Sequence, residues 1–343
     1  MPGGCAVARG PGNYHGYVLA TGRTHDGAPP ARAVAYPDTV GELAVGAGGA
    51  ISGLTWRMRA EATAARFSEV SPGPGADLTT RWMRTSRVHL QELAHTFPLH
   101  DDWSLLIGKR VLSWDPAYSA TPLGFFQKSP DLADITDLFE RAEGVPLAAL
   151  SWFGKRADVT LVYGNDHGRG QVAANATWTG RGGSYSLILQ KPEDAPAGAG
   201  LTASAILGRT LTGHMSVFVR FPGPSAPSAR DASDSRGRNA EAVLGATWVP
   251  SERTSVIMEW ARSVQRDWVF FRASYAWDNL TLAALVRSEW GGGLGSGTIC
   301  SLSVSHSFGR RLALGMDVSR TTGLPTGTTE TALQLWVKHS FTD

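Results

Sequence analysis

The stretch Thr331–Phe341 reads TALQLWVKHSF and sorts by parity, with Leu333, Leu335, Val337 and Phe341 on one face and Gln334, Lys338 and Ser340 on the other. Upstream, SLSVSHSFGRRLALGMDVSR (301–320) repeats the pattern. Leu302, Val304 and Phe308, then Leu312, Leu314, Met316 and Val318, oppose Ser301, Ser303 and Ser305, then Ala313, Gly315, Asp317 and Ser319. A period of two marks strands whose faces meet different surroundings, one suited to lipid and the other to water. A soluble sandwich also alternates, so aromatic placement and connection lengths must decide. Trp152, Tyr163, Trp178, Trp248, Trp260, Tyr275, Trp277 and Trp290 stand at or near the ends of apolar faces. Amphipathic rings belong there if the ends lie at headgroup level.

Outward from this stretch, alternation marks about 18 strands, at 14–22, 40–50, 51–64, 78–97, 102–113, 145–153, 157–164, 171–179, 183–191, 200–210, 213–221, 238–249, 253–263, 267–277, 280–289, 297–308, 311–320 and 330–341. Short turns fall at Gly154-Lys155-Arg156, Thr210 to Gly213, Pro250-Ser251-Glu252, Asp278-Asn279 and Gly309-Arg310-Arg311. Gly/Pro/Ser-rich loops fall at 66–77, 115–144, 191–199, 222–237, 290–297 and 321–329. Short and long connections alternate, except for a short one at Val264–Arg266 and a moderately short one at Thr179–Gly183 on the opposite side. The expected fold class is all-β: a transmembrane antiparallel up-and-down β-barrel of about 18 strands, roughly 16 being the alternative, in a single domain over 1–343. A large soluble sandwich or propeller would need internal repeats, which the sequence lacks.

The chain has 343 residues, 40 of them Gly and 12 Trp, yet its mean hydropathy is only −0.13. No apolar run approaches the ~18 residues of a membrane helix. A barrel carries its hydrophobicity in every second residue, which keeps the mean near zero. A net charge of +2 gives no nucleic-acid footprint. Cys5 and Cys300 are far apart and form no CxxC or CxxCH motif, and Cys300 is expected to pack as a small hydrophobe. Cys5 follows Gly4 as a lipoprotein cysteine would, but no hydrophobic segment precedes it. The histidines are scattered, with neither HExxH nor GxSxG, and His167 beside Asp166 reads as a turn residue. No enzyme activity, cofactor or metal is expected. The opening MPGGCAVARGPGNYHGYVLA lacks a basic segment followed by an apolar stretch, so the start is read as truncated, mis-started or replaced.

The segment LQELAHTFPLHDDWSLLIGKRVLSWDPAYSATPLGFF, followed after DITDLFE by RAEGVPLAALSWFGKRADVTLVYGND, resembles an uncharacterised family of proteobacterial porin-like outer-membrane proteins. In that family a strand ending Gly-Lys/Arg-Gln and then Trp-Gly leads into a long Pro/Asp loop, and Arg-x-Gly-Val-Pro opens the next strand. Gly108, Lys109, Trp114, Pro122, Arg141, Gly144, Val145 and Pro146 match. Arg110 stands where Gln is usual, Asp115 where Gly is usual, and Gly124 where an Asp would follow the proline. The resemblance implies a porin-like barrel and no particular substrate.

The parity of the apolar residues places Arg57, Arg59, Glu61, Asp158, Arg220, Glu241, Glu259, Arg272, Arg287, Glu289, Asp317 and Lys338 inward. Arg or Lys facing lipid at mid-bilayer would cost about 2–4 kcal/mol. Two readings remain open: the charges brace the wall as cross-strand ion pairs, or they line a pore for charged or sugar-like solutes. Adjacent Lys109 and Arg110 must point to opposite faces, so one is expected to snorkel near an interface. Asp278-Asn279 is expected to form a two-residue hairpin. A hairpin centred between Gln265 and Arg266 would pair Glu259 directly with Arg272. Loop 115–144, in which ADITDLFERAEG reads as a short helix, either enters the lumen as a constriction or stays external. These readings point to an outer-membrane channel for small hydrophilic solutes, with polysaccharide export or a scaffold role in an envelope complex as alternatives. The partners they imply are outer-membrane lipid, the barrel-assembly machinery, a hydrophilic solute or polysaccharide, and a homo-oligomer or envelope complex.

Overall fold

A computed structural model describes residues 13–26, 36–70, 78–124, 126, 143–166, 168–221, 239–264, 266–291, 296–309, 311–323 and 329–342. Ala133–Ala142 of the helix-like segment, Arg141 of the matched motif, His167 and Cys5 lie outside them. The strands are β1 Asn13–Asp26, β2 Tyr36–Ile51, β3 Leu54–Val70, β4 Leu78–His100, β5 Trp103–Arg110, β6 Val145–Phe153, β7 Ala157–Asp166, β8 Arg169–Gly180, β9 Gly183–Pro192, β10 Gly198–Ile206, β11 Leu211–Arg220, β12 Ala240–Ser251, β13 Thr254–Arg262, β14 Asp267–Trp277, β15 Leu280–Trp290, β16 Gly297–Phe308, β17 Leu312–Thr322 and β18 Glu330–Thr342. Each pairs antiparallel with its chain neighbours. β1 also pairs with β18, from His15 opposite Thr342 to Asp26 opposite Thr331, which closes the 18-stranded sheet into a barrel.

The connections alternate as the parity of an up-and-down barrel demands. On one side every link is two to four residues, including Ser52-Gly53, Arg181-Gly182 and Asp278-Asn279. Ser52 and Gly53 both adopt left-handed backbone (φ 46° and 84°), which suits the twist of a two-residue hairpin. The other side carries the long connections, of which 111–144 is the longest, together with two short ones at 167–168 and 263–266. Thr179–Gly183 is tighter than expected, because β8 and β9 pair as far as Gly180 opposite Gly183. Across Asp278-Asn279, Trp277 stands opposite Leu280 and Arg272 opposite Leu285, as the hairpin reading requires.

The expected pairing of Glu259 with Arg272 is not observed. Ser263 N donates to Arg266 O at 2.8 Å, so the hairpin centre lies between Val264 and Gln265, one residue earlier than expected. Ile257 therefore stands opposite Arg272, and Glu259 opposite Phe270. Moving the centre by one residue shifts each partner by two, so both charges keep their inward parity.

β18 shows how the wall divides. Leu333, Leu335 and Val337 are exposed, whereas Ala332, Gln334 and Trp336 are buried. The outward face continues around the barrel with Leu302, Leu282, Val269, Met258, Leu244, Leu201, Leu187 and Leu161, all exposed. Tyr163, Trp178, Trp248, Trp260, Tyr275, Trp277 and Trp290 are exposed with them. Cys300 is exposed rather than packed, because its parity is that of Leu302.

Inside, Trp336 lies across Gly315 of β17, packs with Leu19 and Ala44, and donates its indole N–H to Asp317 Oδ2 at 2.9 Å. A Cβ at Gly315 would come within 2.2 Å of the indole ring. Gly315→Ala should therefore displace Trp336, break the bond to Asp317 and cost about 1–3 kcal/mol. A lower temperature midpoint for loss of the heat-modifiable folded band on electrophoresis, with a changed tryptophan emission, is the expected result. An unchanged midpoint would show that the ring moves aside at no cost.

Candidate functional site: the inner wall and its docked loop

The chain leaves β5 through Gly108, whose φ of 139° and close approach to β4 leave no room for a side chain: a Cβ there would meet Leu93 O at 2.2 Å. Opposite, a bulge in β4 lets Gln91 slip out of register between Glu92 and Leu90. Both ends of the long loop fasten to this bulge: Val111 N donates to Glu92 Oε1 at 3.0 Å and Gly144 N to Gln91 O at 3.0 Å. A bulge re-aims the strand and frees backbone groups, and here they receive the loop. Lys109 meets Glu143 of the returning loop at 2.5 Å.

From Val111 to Phe126 the described part of the loop lies against the face that carries the predicted charges. Phe126, fully buried, packs on Leu147, Ala149, Val162 and Ala173. A Cβ at Gly164 would stand 2.5 Å from its ring, so that glycine makes the seat. Leu123 packs on Ile188 and Phe218, over Gly200. Ala117, Tyr118 and Ala120 pack on Val243, Ala261, Trp268, Phe270 and Leu285. The loop thus crosses the inner wall from β6 to β15.

Two carboxylates hold it. Glu259, 2 % exposed, accepts the backbone N–H groups of Tyr118 at 2.7 Å and Ser119 at 2.6 Å, and its Oε1 also meets His214 Nε2 at 2.7 Å. Asp115 accepts from Ala117 N at 3.0 Å, Leu123 N at 3.1 Å and the Ser216 hydroxyl at 2.7 Å. Burial pushes the Asp115 carboxyl above its usual range, while the hydrogen bonds from Ser216, Ala117 and Leu123 pull it back. At Ala117, Tyr118, Ser119 and Leu123 these side chains supply the acceptors that the loop's N–H groups need. Trp268 Nε1 adds a bond to Ser119 Oγ at 3.3 Å, and Arg272 donates to Tyr118 Oη at 2.9 Å with its guanidinium over the same ring.

The remaining predicted residues fall into local groups. Arg59, 2 % exposed, bridges Glu42 at 2.7 Å and Glu61 at 3.2 Å, and His89 lies 3.4 Å from Glu61. Arg57 lies 3.7 Å from Glu92, and Arg220 meets Glu241 at 2.8 Å. Glu289 takes Arg287 at 2.8 Å and Arg266 at 2.7 Å, while Arg287 also stacks over Trp268. Asp317 holds Trp336, and Asp158 and Lys338 are half-buried on the same side of the wall. Sequence reading missed Glu42, His89, Glu92, Asp115, His214 and Ser216. The last two were within reach, since they share inward parity with Phe218 on β11. Among the described residues, no group of three or more His, Cys, Asp or Glu side chains is placed to hold a metal ion.

No protein-family model matches the chain, and no curated protein does either. Solved structures do. Pseudomonas aeruginosa OccK7 (OpdD) matches with TM-score 0.60 at 11% identity, covering 97% of this chain and 100% of that chain. Acinetobacter baumannii OccAB4 matches with TM-score 0.59 at 8% identity over 98% and 99% of the two chains. Pseudomonas aeruginosa OpdK with vanillate matches with TM-score 0.59 at 8% identity over 97% and 99%. At such identities the likeness establishes the shared barrel architecture.

Glu259→Ala should strand the N–H groups of Tyr118 and Ser119, at about 1–3 kcal/mol for each unsatisfied group. Hydrogen exchange at these two amides should accelerate at least tenfold while strand amides of β12–β14 stay protected. Equal protection in the variant would mean that apolar packing alone holds the loop.

Proposed function

We propose that this protein is a porin-like channel of the bacterial outer membrane, through which small hydrophilic solutes diffuse. One observation carries the reading: a closed 18-stranded wall with an apolar outer face and a charged inner face. Such a wall leaves no edge and satisfies its backbone hydrogen bonds within the sheet, as hydrocarbon requires. The outer-membrane porins that share the architecture support the setting, and one is a structure with vanillate, a small organic anion. The loop seated across β6 to β15 narrows the bore in this reading, which favours small solutes over an exported polymer. The predicted charged residues divide in this reading: Arg57, Arg59, Arg220 and Arg287 with their carboxylate partners brace the wall, Glu259 holds the loop, Asp317 holds Trp336, and Arg272, bonded to Tyr118 of the loop, faces the path. The chemistry is passage rather than catalysis, with outer-membrane lipid as the surrounding partner and the barrel-assembly machinery as the route of insertion.

Planar-bilayer recording tests this. The purified protein should give discrete conductance steps, and Glu259→Ala, by loosening the loop, should enlarge them or make them flicker. Arg272→Glu should shift the reversal potential in a salt gradient toward cation preference. A protein that inserts but passes no current is a scaffold; one that conducts with unchanged ion preference in Arg272→Glu removes Arg272 from the ion path.

A further inference from the structure

The outward face of β1 to β4 differs from the rest of the belt. In register across the strands, Gly22 stands opposite Gly41, Gly41 opposite Ala64, and Ala64 opposite Arg84. The next row runs Ala20, Leu43, Ala62, Ser86, and the one after it Val18, Val45, Ala60, Val88. Where other strands present Leu, Val or Trp, these present mainly Gly, Ala and Ser. The result is an open groove of about 500 Å³ lined by Gly41, Leu43, Ala62, Ala64, Arg84 and Ser86. A Cβ at Gly41 or Gly22 would meet nothing within 4 Å, so the recess is not filled by the protein's own packing.

At the end of the groove nearer the long connections, two arginines face outward. Arg84 lines the groove, and Arg66, exposed on β3 opposite the exposed Trp82, is its diagonal neighbour, at about 7–8 Å by sheet geometry. Among the described residues neither is in an ion pair. The inward arginines of β3 are in ion pairs, so the unpaired state belongs to the lipid-facing side. An aromatic ring beside two cations at the edge of an apolar belt matches the headgroup level of a membrane.

We propose that this groove binds a phosphate-bearing, acylated lipid of the leaflet on the long-connection side, its phosphate on Arg66 and Arg84 and an acyl chain along the Gly/Ala recess. The proposal rests on the membrane reading above and goes beyond it by naming a site and a ligand chemistry. A lipid fits better than a second copy of the chain. It offers a phosphate and an acyl chain in one molecule, matching two cations set at the end of an apolar recess.

The test compares wild type, Arg66→Gln/Arg84→Gln and Gly41→Phe, all as full-length folded barrels in detergent, by native mass spectrometry and titration with diphosphoryl lipid A as the probe. A Cβ at position 41 meets nothing within 4 Å, so Phe there projects into the groove and leaves both arginines in place. Wild type should retain the lipid, and the double variant should bind about thirtyfold more weakly. Gly41→Phe should also lose affinity, and inorganic phosphate at equal concentration should not compete. Unchanged binding in the double variant, full competition by inorganic phosphate, or a change of oligomeric state on removing the arginines would each overturn the proposal, the last by making the face an interface between copies. Conductance of the same preparations separates the two readings: lipid binding can fail while the channel conducts, and the channel can fail while lipid still binds.

Discussion

Hydrocarbon offers no hydrogen-bond partner, so every backbone N–H and C=O that crosses it must be satisfied within the sheet. Pairing of β1 with β18 meets that demand at the one place where an up-and-down sheet would otherwise be open. Closure then imposes the rest. Once the wall is a cylinder, each side chain points to lipid or to the interior, and a one-residue error in any strand would carry a charge such as Glu259 or Arg272 into lipid. The Gly315–Trp336 contact follows from the same geometry, because a large ring turned inward needs a neighbour that offers no side chain.

Closure leaves a second problem inside. The described residues of the connection after β5 bring backbone N–H groups inside the barrel that need acceptors. The described part solves it with buried side-chain acceptors on the wall and on the loop itself. Glu259 takes two consecutive N–H groups of the loop, and Asp115 takes two more while binding Ser216. Apolar seats fix position, as Leu123 over Gly200 and Phe126 over Gly164 show, but they do not fix register along the loop. The carboxylates do, since an acceptor one residue out of place would leave an N–H unbonded at a cost comparable to a lost hydrogen bond. The Gln91 bulge ties both ends of the loop, so its anchors and its origin are set by one irregularity in β4.

Most of the barrel was legible because parity and connection length are local properties. Gln334 and Leu335 differ by one residue and face opposite media, and that is written in their side chains. The hairpin at Asp278-Asn279 was readable for the same reason, since one two-residue link fixes the β15 neighbour of Arg272. At Val264–Arg266 the chain could centre its turn at either of two places without changing any face, so parity could not choose; the Ser263–Arg266 bond did. The docked loop was illegible in another way. The bonds of Glu259 and Ser216 to it join residues 101 to 141 positions apart, and a carboxylate that accepts backbone N–H groups looks in sequence like one that pairs with an arginine. The reading of Glu259 as a partner of Arg272 rested on the turn centre, and nothing in the sequence marked Glu259 as an acceptor for loop N–H groups. His214 and Ser216 carried a fainter sign, two polar side chains at inward parity beside Phe218, without anything to say what they meet.

The distribution of pairing across the wall bears on how a channel of this kind would treat ions. Arg57, Arg59, Arg220 and Arg287 each lie within ion-pair distance of a carboxylate, so their fields largely cancel at the range of a solvated ion. Glu259 is spent on N–H groups and on His214, and Asp115 on a hydroxyl and two N–H groups. Arg272 is different: it is held by a phenol oxygen and a ring face, neither of which carries a full negative charge. Beside the loop, in a partly desolvated setting, its field is screened less than that of the paired cations. A wall with a nearly balanced inventory of acids and bases can therefore present a local positive site where the bore is narrowest in this reading. Ion preference then depends on which charges the fold leaves uncancelled rather than on how many of each sign the sequence contains.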